Sequence, residues 1–564
     1  MGLAGCGQPR KFLMKGTAII VEDKIVVEWD SDSLDPKPWR EMLRLIQSLA
    51  DAKFVQRPEA HWELPASPFH AASLIKALTN HSEIFIEKGI EKLSERYYFL
   101  LEWEREGGAW DQKRMPWVRP YQQSAITFVG ALDQRAVVAD DVGLGKTIEA
   151  LGAIWQYARG SRVLVVAPAN VIYKWEREIL DPRQRFPWSS KWSAQVLVAV
   201  RTQSALSDFT ICSYDIMRRR VDELATVGFD LIIFDEVHYI KNYKALRTKA
   251  AEKLAEGVPH IIGLTGTPLL NDRPIEMYSW LHIVRPRDWP ELWGGTGYGD
   301  RYCGGRTQYT TFTGATHLPE LADRLKTTSI RRIKAEVLSE LPELLVSPVP
   351  AHVNLGEYKK IEKNVQEAIL ALSSSSKGYW ISVLDRMGYL RLAVGKAKTQ
   401  VAIEWATDFL DSQPPSRKLV IYCHHRDVVS AIADGLTSWG VVRITGDTKA
   451  ADRDRYATSF QSEDNHRIML ISDAGGVGID LFGIGGVEIS DMLMVELPWR
   501  PADVEQAVGR LHRLGQRSSV SLWALEAKGT IDEYILLRLF QKDDLIAQVV
   551  GDHSIVQGLI DQWR

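Results

Sequence analysis

The sequence predicts an α/β protein with two parallel-sheet lobes, a helical protrusion and linker, and a small α/β module in front of them. Three observations carry that expectation. Leu231-Ile232-Ile233-Phe234 is a continuous apolar run, the pattern of a strand buried on both faces. It ends in Asp235-Glu236-Val237-His238, which places two carboxylates where open α/β sheets bind their ligands. Apolar strands and amphipathic helices alternate over residues 113 to 285, and a second such series starts at Lys418-Leu419-Val420-Ile421-Tyr422.

At 564 residues the chain is too long for a single core. Its net charge of −3 gives no global nucleic-acid footprint, so any contact with DNA must come from a local groove and from main-chain amides. Cys6, Cys212, Cys303 and Cys423 are scattered without metal-ligand spacing and read as reduced thiols. No apolar run approaches the ~18 residues of a membrane span. The expectation is a soluble, cytoplasmic monomer: nucleoid-associated in a bacterial or phage host, nuclear only in a eukaryotic one.

Residues 1–112 read as a separate unit. Ile25 to Trp29 is a predicted strand, Pro38 to Leu49 an amphipathic helix, and Ser67 to Leu78 a second helix. Glu22, Asp23, Glu28, Asp30, Asp32 and Asp35 crowd the first strand and its exit. The first lobe is assigned to residues 113–345, with a protrusion over about 286–330. It opens with Arg119-Pro120-Tyr121-Gln122, where an amide suits the donor–acceptor edge of adenine. A short strand then runs into Asp140-Asp141-Val142-Gly143-Leu144-Gly145-Lys146-Thr147 and a helix. Glycines let such a loop turn its amides toward phosphate oxygens, and the helix N-terminus adds its dipole. Lys146 would reach the β/γ-phosphates and Thr147 would ligate Mg²⁺, with Asp140 standing where the strict pattern has glycine. Asp235 would complete the metal site and Glu236 would orient a water. Leu264-Thr265-Gly266-Thr267-Pro268 is a strand end suited to coupling the pocket to a neighbouring site. Arg331-Arg332-Ile333-Lys334 forms a basic cluster between the lobes.

Residues 346–412 are assigned to a helical linker, 413–530 to the second lobe and 531–564 to a C-terminal brace. The second lobe lacks a phosphate loop, but Ser472-Asp473-Ala474-Gly475-Gly476-Val477-Gly478 lets backbone approach a phosphate closely. After Pro501 a helix ended by Gly515 is expected to carry Gln506, Arg510 and Arg513 on one face. Two arginines beside a glutamine suit fingers that reach a nucleotide held by the other lobe.

Taken together, Gln122, G-L-G-K-T, D-E-V-H, L-T-G-T-P, A-G-G-V-G at 474–478 and Q-A-V-G-R-L-H-R-L-G-Q at 506–516 resemble a Swi/Snf-type ATPase of helicase superfamily two. That resemblance implies two RecA-like lobes over about residues 113–550. A narrower likeness, to the annealing-helicase branch, rests on Arg301-Tyr302-Cys303, the R-R-I-K run, and Tyr422-Cys423-His424-His425. It makes residues 1–112 resemble a HARP domain. The implied nucleotide set is Arg119, Gln122, Asp141, Gly143, Gly145, Lys146, Thr147, Gly478 and Gln506. Lys146, Asp235, Glu236, Arg510 and Arg513 would be catalytic, and Thr147 and Asp235 would hold the metal. Pro168, Ser213, Tyr214 and Thr265, with His424, Ser472 and Gly475, would meet DNA. Asp480 stands where the family has asparagine, and its extra charge near the cleft is expected to weaken coupling. The implied activity is ATP- and Mg²⁺-dependent movement on double-stranded or forked DNA, with annealing or remodelling. A strand-separating helicase, a chromatin remodeller and a non-catalytic DNA-binding scaffold are the alternatives. Single-strand-binding or repair partners are not legible in the residues.

Overall fold

The computed structural model describes residues 16–29, 36–56, 60–79, 84–103, 118–180, 192–197, 207–269, 273–294, 296–304, 312, 314–370, 379–462, 465–472 and 479–550. Gly475 and Gly478 therefore lie outside the described residues, as do Asp30, Asp32 and Asp35.

In the N-terminal module, β1 (Gly16–Val21) and β2 (Lys24–Trp29) form a hairpin across Glu22-Asp23. With β3 (Lys53–Val55), β4 (His61–Pro65) and β5 (Ile84–Ile86) they make a sheet of order β3-β4-β2-β1-β5. Ala18, Ile25, Val27, Leu64 and Ile84 share a core with Leu74 and Leu78 of helix Pro68–Leu78. Ser67 caps that helix, its Oγ accepting from the His70 amide at 3.4 Å.

The first lobe is the expected doubly wound sheet. It comprises β6 (Arg135–Val138), β7 (Val163–Ala167), β8 (Ala194–Leu197), β9 (Phe209–Ser213), β10 (Leu231–Asp235), β11 (His260–Leu264) and β12 (Ser329–Ile330). All pairings are parallel, in the order β12-β6-β11-β10-β7-β9-β8. The central β10 is sealed on both faces, and Leu231 to Phe234 are each 0 % exposed. That burial explains its unbroken apolar run.

The second lobe contains a strand that the sequence reading missed. Residues 344–350, divided between the first lobe and the helical linker, form β13 (Leu344–Pro350). It sits at the edge of the sheet β13-β18-β17-β14-β16-β15. The other members are β14 (Arg417–Tyr422), β15 (Val441–Ile444), β16 (Ile468–Ile471), β17 (Glu488–Met494) and β18 (Val520–Glu526). Ser347-Pro348-Val349-Pro350 reads as a strand breaker, but residues two apart direct their N–H groups to the same side. The two missing donors both face the open edge, where a sheet tolerates proline. Ala351, in phase with Val349, donates to Glu526 O on the paired side at 2.7 Å. Only the rest of the supposed linker is helical, over Gly356–Leu370 and Tyr379–Ser412.

A second correction concerns the arginine helix. It spans Pro501–Val508 and stops at Gly509, so Arg510 and Arg513 lie on the turn beyond it and not on one face with Gln506. The protrusion packs onto the first lobe. Trp289, Trp293, Tyr298, Tyr302 and Phe312 join the first lobe's core, followed by helix Leu318–Leu325.

Candidate active site

The phosphate-type loop is shaped by two glycines with left-handed backbone, Gly143 (φ 96°) and Gly145 (φ 89°). A Cβ on Gly145 would lie 2.7 Å from Gln122 Nε2, and one on Gly143 2.8 Å from Arg513 Cβ. Both conformation and space therefore demand glycine. The loop is held from outside. Tyr121 Oη and Gln122 Nε2 both donate to Leu144 O, at 2.8 and 2.9 Å. Gln122 Oε1 accepts from the Arg119 amide at 3.1 Å, so one end of this buried amide braces the loop and the other caps its own helix. Arg119 itself turns outward to pair with Glu340. Lys146, first residue of helix Lys146–Tyr157, donates to Asp140 O at 2.7 Å and Asp141 O at 3.1 Å.

Asp140 has a structural task. It is fully buried, and its Oδ1 accepts from the Arg332 amide at 3.1 Å and from Arg332 Nε at 3.0 Å. Arg331 pairs with Asp141 at 3.0 Å, and the Lys334 amide donates to the same carboxylate at 3.1 Å. The basic cluster is thus no solvated face, because it clamps the loop to the chain leaving β12.

β10 delivers the two acids. Asp235 Oδ2 accepts from Trp175 Nε1 at 2.7 Å, its Oδ1 from the Glu236 amide at 3.1 Å, and its carbonyl from Tyr214 Oη at 2.8 Å. Glu236 has φ 50°, a strained conformation for a residue with a Cβ. Its Oε2 is buried, 3.3 Å from His238 Nδ1, and accepts no hydrogen bond. Burial, with the Glu236 charge adding to it, pushes the Asp235 carboxyl up to about 6. Burial also raises Glu236, against the pull of Lys146 and Arg510. Burial lowers His238 to about 3, so its ring is neutral beside Glu236.

The second lobe closes the cleft. Val142, Gly143, Gly145, Lys146, Thr147, Pro168, Val171, Lys174, Trp175, Asp235 and Glu236 face Asp480, Arg510 and Arg513 around about 110 Å³. Gln506 Nε2 lies 3.5 Å from Thr267 Oγ1 across the interface. Asp480 carries its charge paired: Lys174 Nζ donates to both its oxygens, at 2.9 and 3.2 Å, and Arg513 bonds it from the other side. The extra negative charge at this position is thus balanced by a cation from each lobe.

This donor set fits a polyphosphate with a divalent ion. Glycine-lined amides and Lys146 suit phosphate oxygens, and the Thr147 hydroxyl with Asp235 suits a hard cation that keeps waters. Glu236, with an uncommitted buried oxygen, suits polarising one of those waters.

Beside the cleft lies a groove of about 300 Å³ lined by Pro168, Ala169, Asn170, Ser213, Tyr214, Asp215, Tyr239 and Arg247, with Arg453 from the second lobe. It brings Pro168, Ser213 and Tyr214 together, as the resemblance implies. Tyr239, Arg247 and Arg453 were missed, because an isolated tyrosine or arginine on a helix or turn has no signal in sequence. Tyr214 and Tyr239 stack with centroids 5.3 Å apart, and the Arg247 guanidinium lies 5.5 Å from the Tyr239 ring. Thr265 is elsewhere: it is fully buried, and its Oγ1 lies 3.1 Å from His238 Nδ1. Its side chain offers no surface to DNA and instead links the β11 end to the acids. His424 follows β14, its amide donating to Glu496 at 2.8 Å, and burial lowers its ring to about 4. Ser472 caps β16, its amide 3.3 Å from Ile444 O.

The chain matches the SNF2-related domain over residues 121–392 and the helicase conserved C-terminal domain over residues 401–515. It is 31 % identical over 443 residues to the SWI/SNF-related matrix-associated actin-dependent regulator of chromatin subfamily A-like protein 1 of Xenopus tropicalis, covering 76 % of this chain and 44 % of that protein. It is 28 % identical over 450 residues to the DNA annealing helicase and endonuclease ZRANB3 of Homo sapiens, covering 77 % and 40 %. The chain thus spans less than half the length of these curated relatives. Among solved structures, the SWI2/SNF2 ATPase core of Sulfolobus solfataricus in complex with dsDNA matches with TM-score 0.36 and 21 % identity, over 79 % of this chain and 94 % of that one.

Proposed function

We propose, from the premise that the chain belongs to the Swi/Snf-type ATPases of helicase superfamily two, that it is an ATP-dependent translocase on double-stranded DNA. The observation that carries this reading is the meeting, in one cleft, of Lys146, Thr147, Asp235 and Glu236 with Arg510 and Arg513 of the opposite lobe. In this reading Lys146 and the loop amides hold the phosphates of ATP. Thr147 and Asp235 would hold Mg²⁺, which would supply charge neutralisation at the transferred phosphoryl group. Glu236 accepts a proton from the attacking water, and Arg510 and Arg513 neutralise charge that grows in the transition state. Because the acids and the arginines stand on different lobes, hydrolysis depends on their approach. The neighbouring groove supports DNA as the ligand that favours that approach, since Arg453 faces lobe-one residues across it.

The finer reading is remodelling or annealing at forks and junctions, without strand separation. It rests on the likeness to an annealing helicase and on the N-terminal module packed against the first lobe. Phosphate contacts from such a groove carry little sequence information, so the activity is expected to be sequence-tolerant. The chain is taken to work as a monomer.

Phosphate release measured with single-stranded, duplex, forked and RNA substrates tests the proposal. Stimulation by duplex, and more strongly by forked DNA, is expected. Equal rates with and without any nucleic acid would remove the translocase reading. Strand displacement from a forked duplex would replace annealing with separation.

A further inference from the structure

We propose that Asp480 is a positioning residue: it gathers Lys174 of the first lobe and Arg513 of the second into an ion cluster at the cleft, and competes with nucleotide phosphates for those cations. The inference rests on reading this cleft as the ATP site. It goes beyond that reading by giving a task to a residue outside the phosphate loop, the acids and the fingers.

The geometry is specific. Lys174 sits on helix Ile172–Leu180 beside Trp175, whose indole holds Asp235. Its ammonium donates to both Asp480 oxygens, at 2.9 and 3.2 Å, so one lobe grips the other beside the acids. Arg513 bonds the same carboxylate, while its Nε is buried without an acceptor. That guanidinium therefore has donor capacity that Asp480 does not use. Leu481 donates to Arg510 O at 2.9 Å, which ties the Asp480 segment to the turn carrying both arginines. The three side chains of the cluster are 16 to 27 % exposed, so solvent screens them only in part. Burial pushes the Asp480 carboxyl up, but Lys174 and Arg513 override it and hold the group ionised well below the usual carboxylate range.

Two consequences follow. The lobes are held together by a carboxylate of the protein's own, and an incoming triphosphate must draw Arg513 and Lys174 away from it. Asparagine at this position keeps the shape and removes the charge. It should therefore loosen the lobes and release the cations to the nucleotide.

The test uses the full chain without DNA. Binding of a fluorescent ATP analogue with Mg²⁺ is measured for the wild type, D480N and D480E, and lobe separation is followed by small-angle scattering. D480N should bind about twofold to fivefold more tightly than wild type, within the range of partly exposed ion pairs. It should also show a larger radius of gyration, and D480E should stay near wild type on both measures. Unchanged or weaker binding by D480N overturns the proposal. Lys174→Gln tests the same contact from the other lobe should D480N not fold: it should enlarge the radius of gyration, and a wild-type value there overturns the latch. Lys146→Ala run alongside separates the two levels. If it binds the analogue normally, the ATP reading fails. If it loses binding while D480N does not tighten, only the latch fails.

Discussion

Glu236 is where chemistry and stability pull in opposite directions. Its backbone is left-handed, its carboxylate is buried with an uncommitted oxygen, and its charge helps to push Asp235 up to about 6. A carboxyl raised in the folded state binds its proton there at a pH where the unfolded chain has already released it. Folding is therefore favoured at low pH, and the favour is lost as pH rises from about 4 to about 6. Glu236→Gln should consequently raise Tm by about 2–4 °C at pH 7.5, with the gain shrinking toward pH 4. Scanning calorimetry at the two pH values checks it, and a lower Tm at pH 7.5 would contradict the argument. The same substitution should reduce turnover by ~10²–10⁴ while leaving nucleotide binding largely intact. Lys146→Ala should instead weaken nucleotide binding about tenfold or more, since it deletes a charge-assisted contact.

At the scale of elements, the turn after helix Pro501–Val508 has a role that a continuous helix would not serve. Ending the helix at Gly509 frees Arg510 and Arg513 to fold back toward the first lobe, and a Cβ on Gly509 would meet Glu505 O and Val142 at 2.8 Å. Arg510→Ala should lower turnover by ~10³ with little change in ATP affinity, as expected of a group engaged in the transition state. Its loss should not add to that of Glu236→Gln; additive losses in the double variant would assign Arg510 a structural role instead. The chain leaving β12 offers a parallel case. Arg332 satisfies Asp140 beneath the loop, so Arg332→Ala should lower stability and nucleotide affinity together, whereas a surface arginine would change neither.

At the scale of the whole molecule, the N-terminal module is built onto the first lobe. Arg324, 1 % exposed, pairs with Asp51 and donates to Asp288 O, and its guanidinium lies 4.1 Å from the Trp289 ring and 4.9 Å from the Phe69 ring. His70 Nε2 lies 3.0 Å from the same aspartate. Thr296 Oγ1 donates to Ala52 O at 2.9 Å and Arg301 to Ser48 O at 2.6 Å, extending the joint. Asp51→Ala strands a buried guanidinium and should cost about 3–5 kcal/mol, read as a drop in denaturation midpoint and faster proteolysis of the module. Deleting residues 1–112 removes no cleft residue, so duplex stimulation of the ATPase should survive at a lowered Tm. Preference for forked over linear duplex should vanish; if it persists, the module is a structural cap.

What the sequence determined by itself is the local chemistry. An unbroken apolar run before two acids has the pattern of a strand sealed on both faces, and Gly143 and Gly145 occupy backbone conformations that other residues resist. Such constraints act within a few residues, so they leave a readable pattern. What only the tertiary structure decided is which distant groups share one site. Nothing near Asp480 announces Lys174, nothing near Asp140 announces Arg332, and nothing near Asp51 announces Arg324. Thr265 belongs to His238 and not to a DNA surface because β11 ends beside β10, and β13 is a strand because its prolines fall on an open edge. Each of these facts depends on the partner that packing brings from far along the chain. Charge pairing and edge position are properties of the assembled sheet, and no short window of residues encodes them.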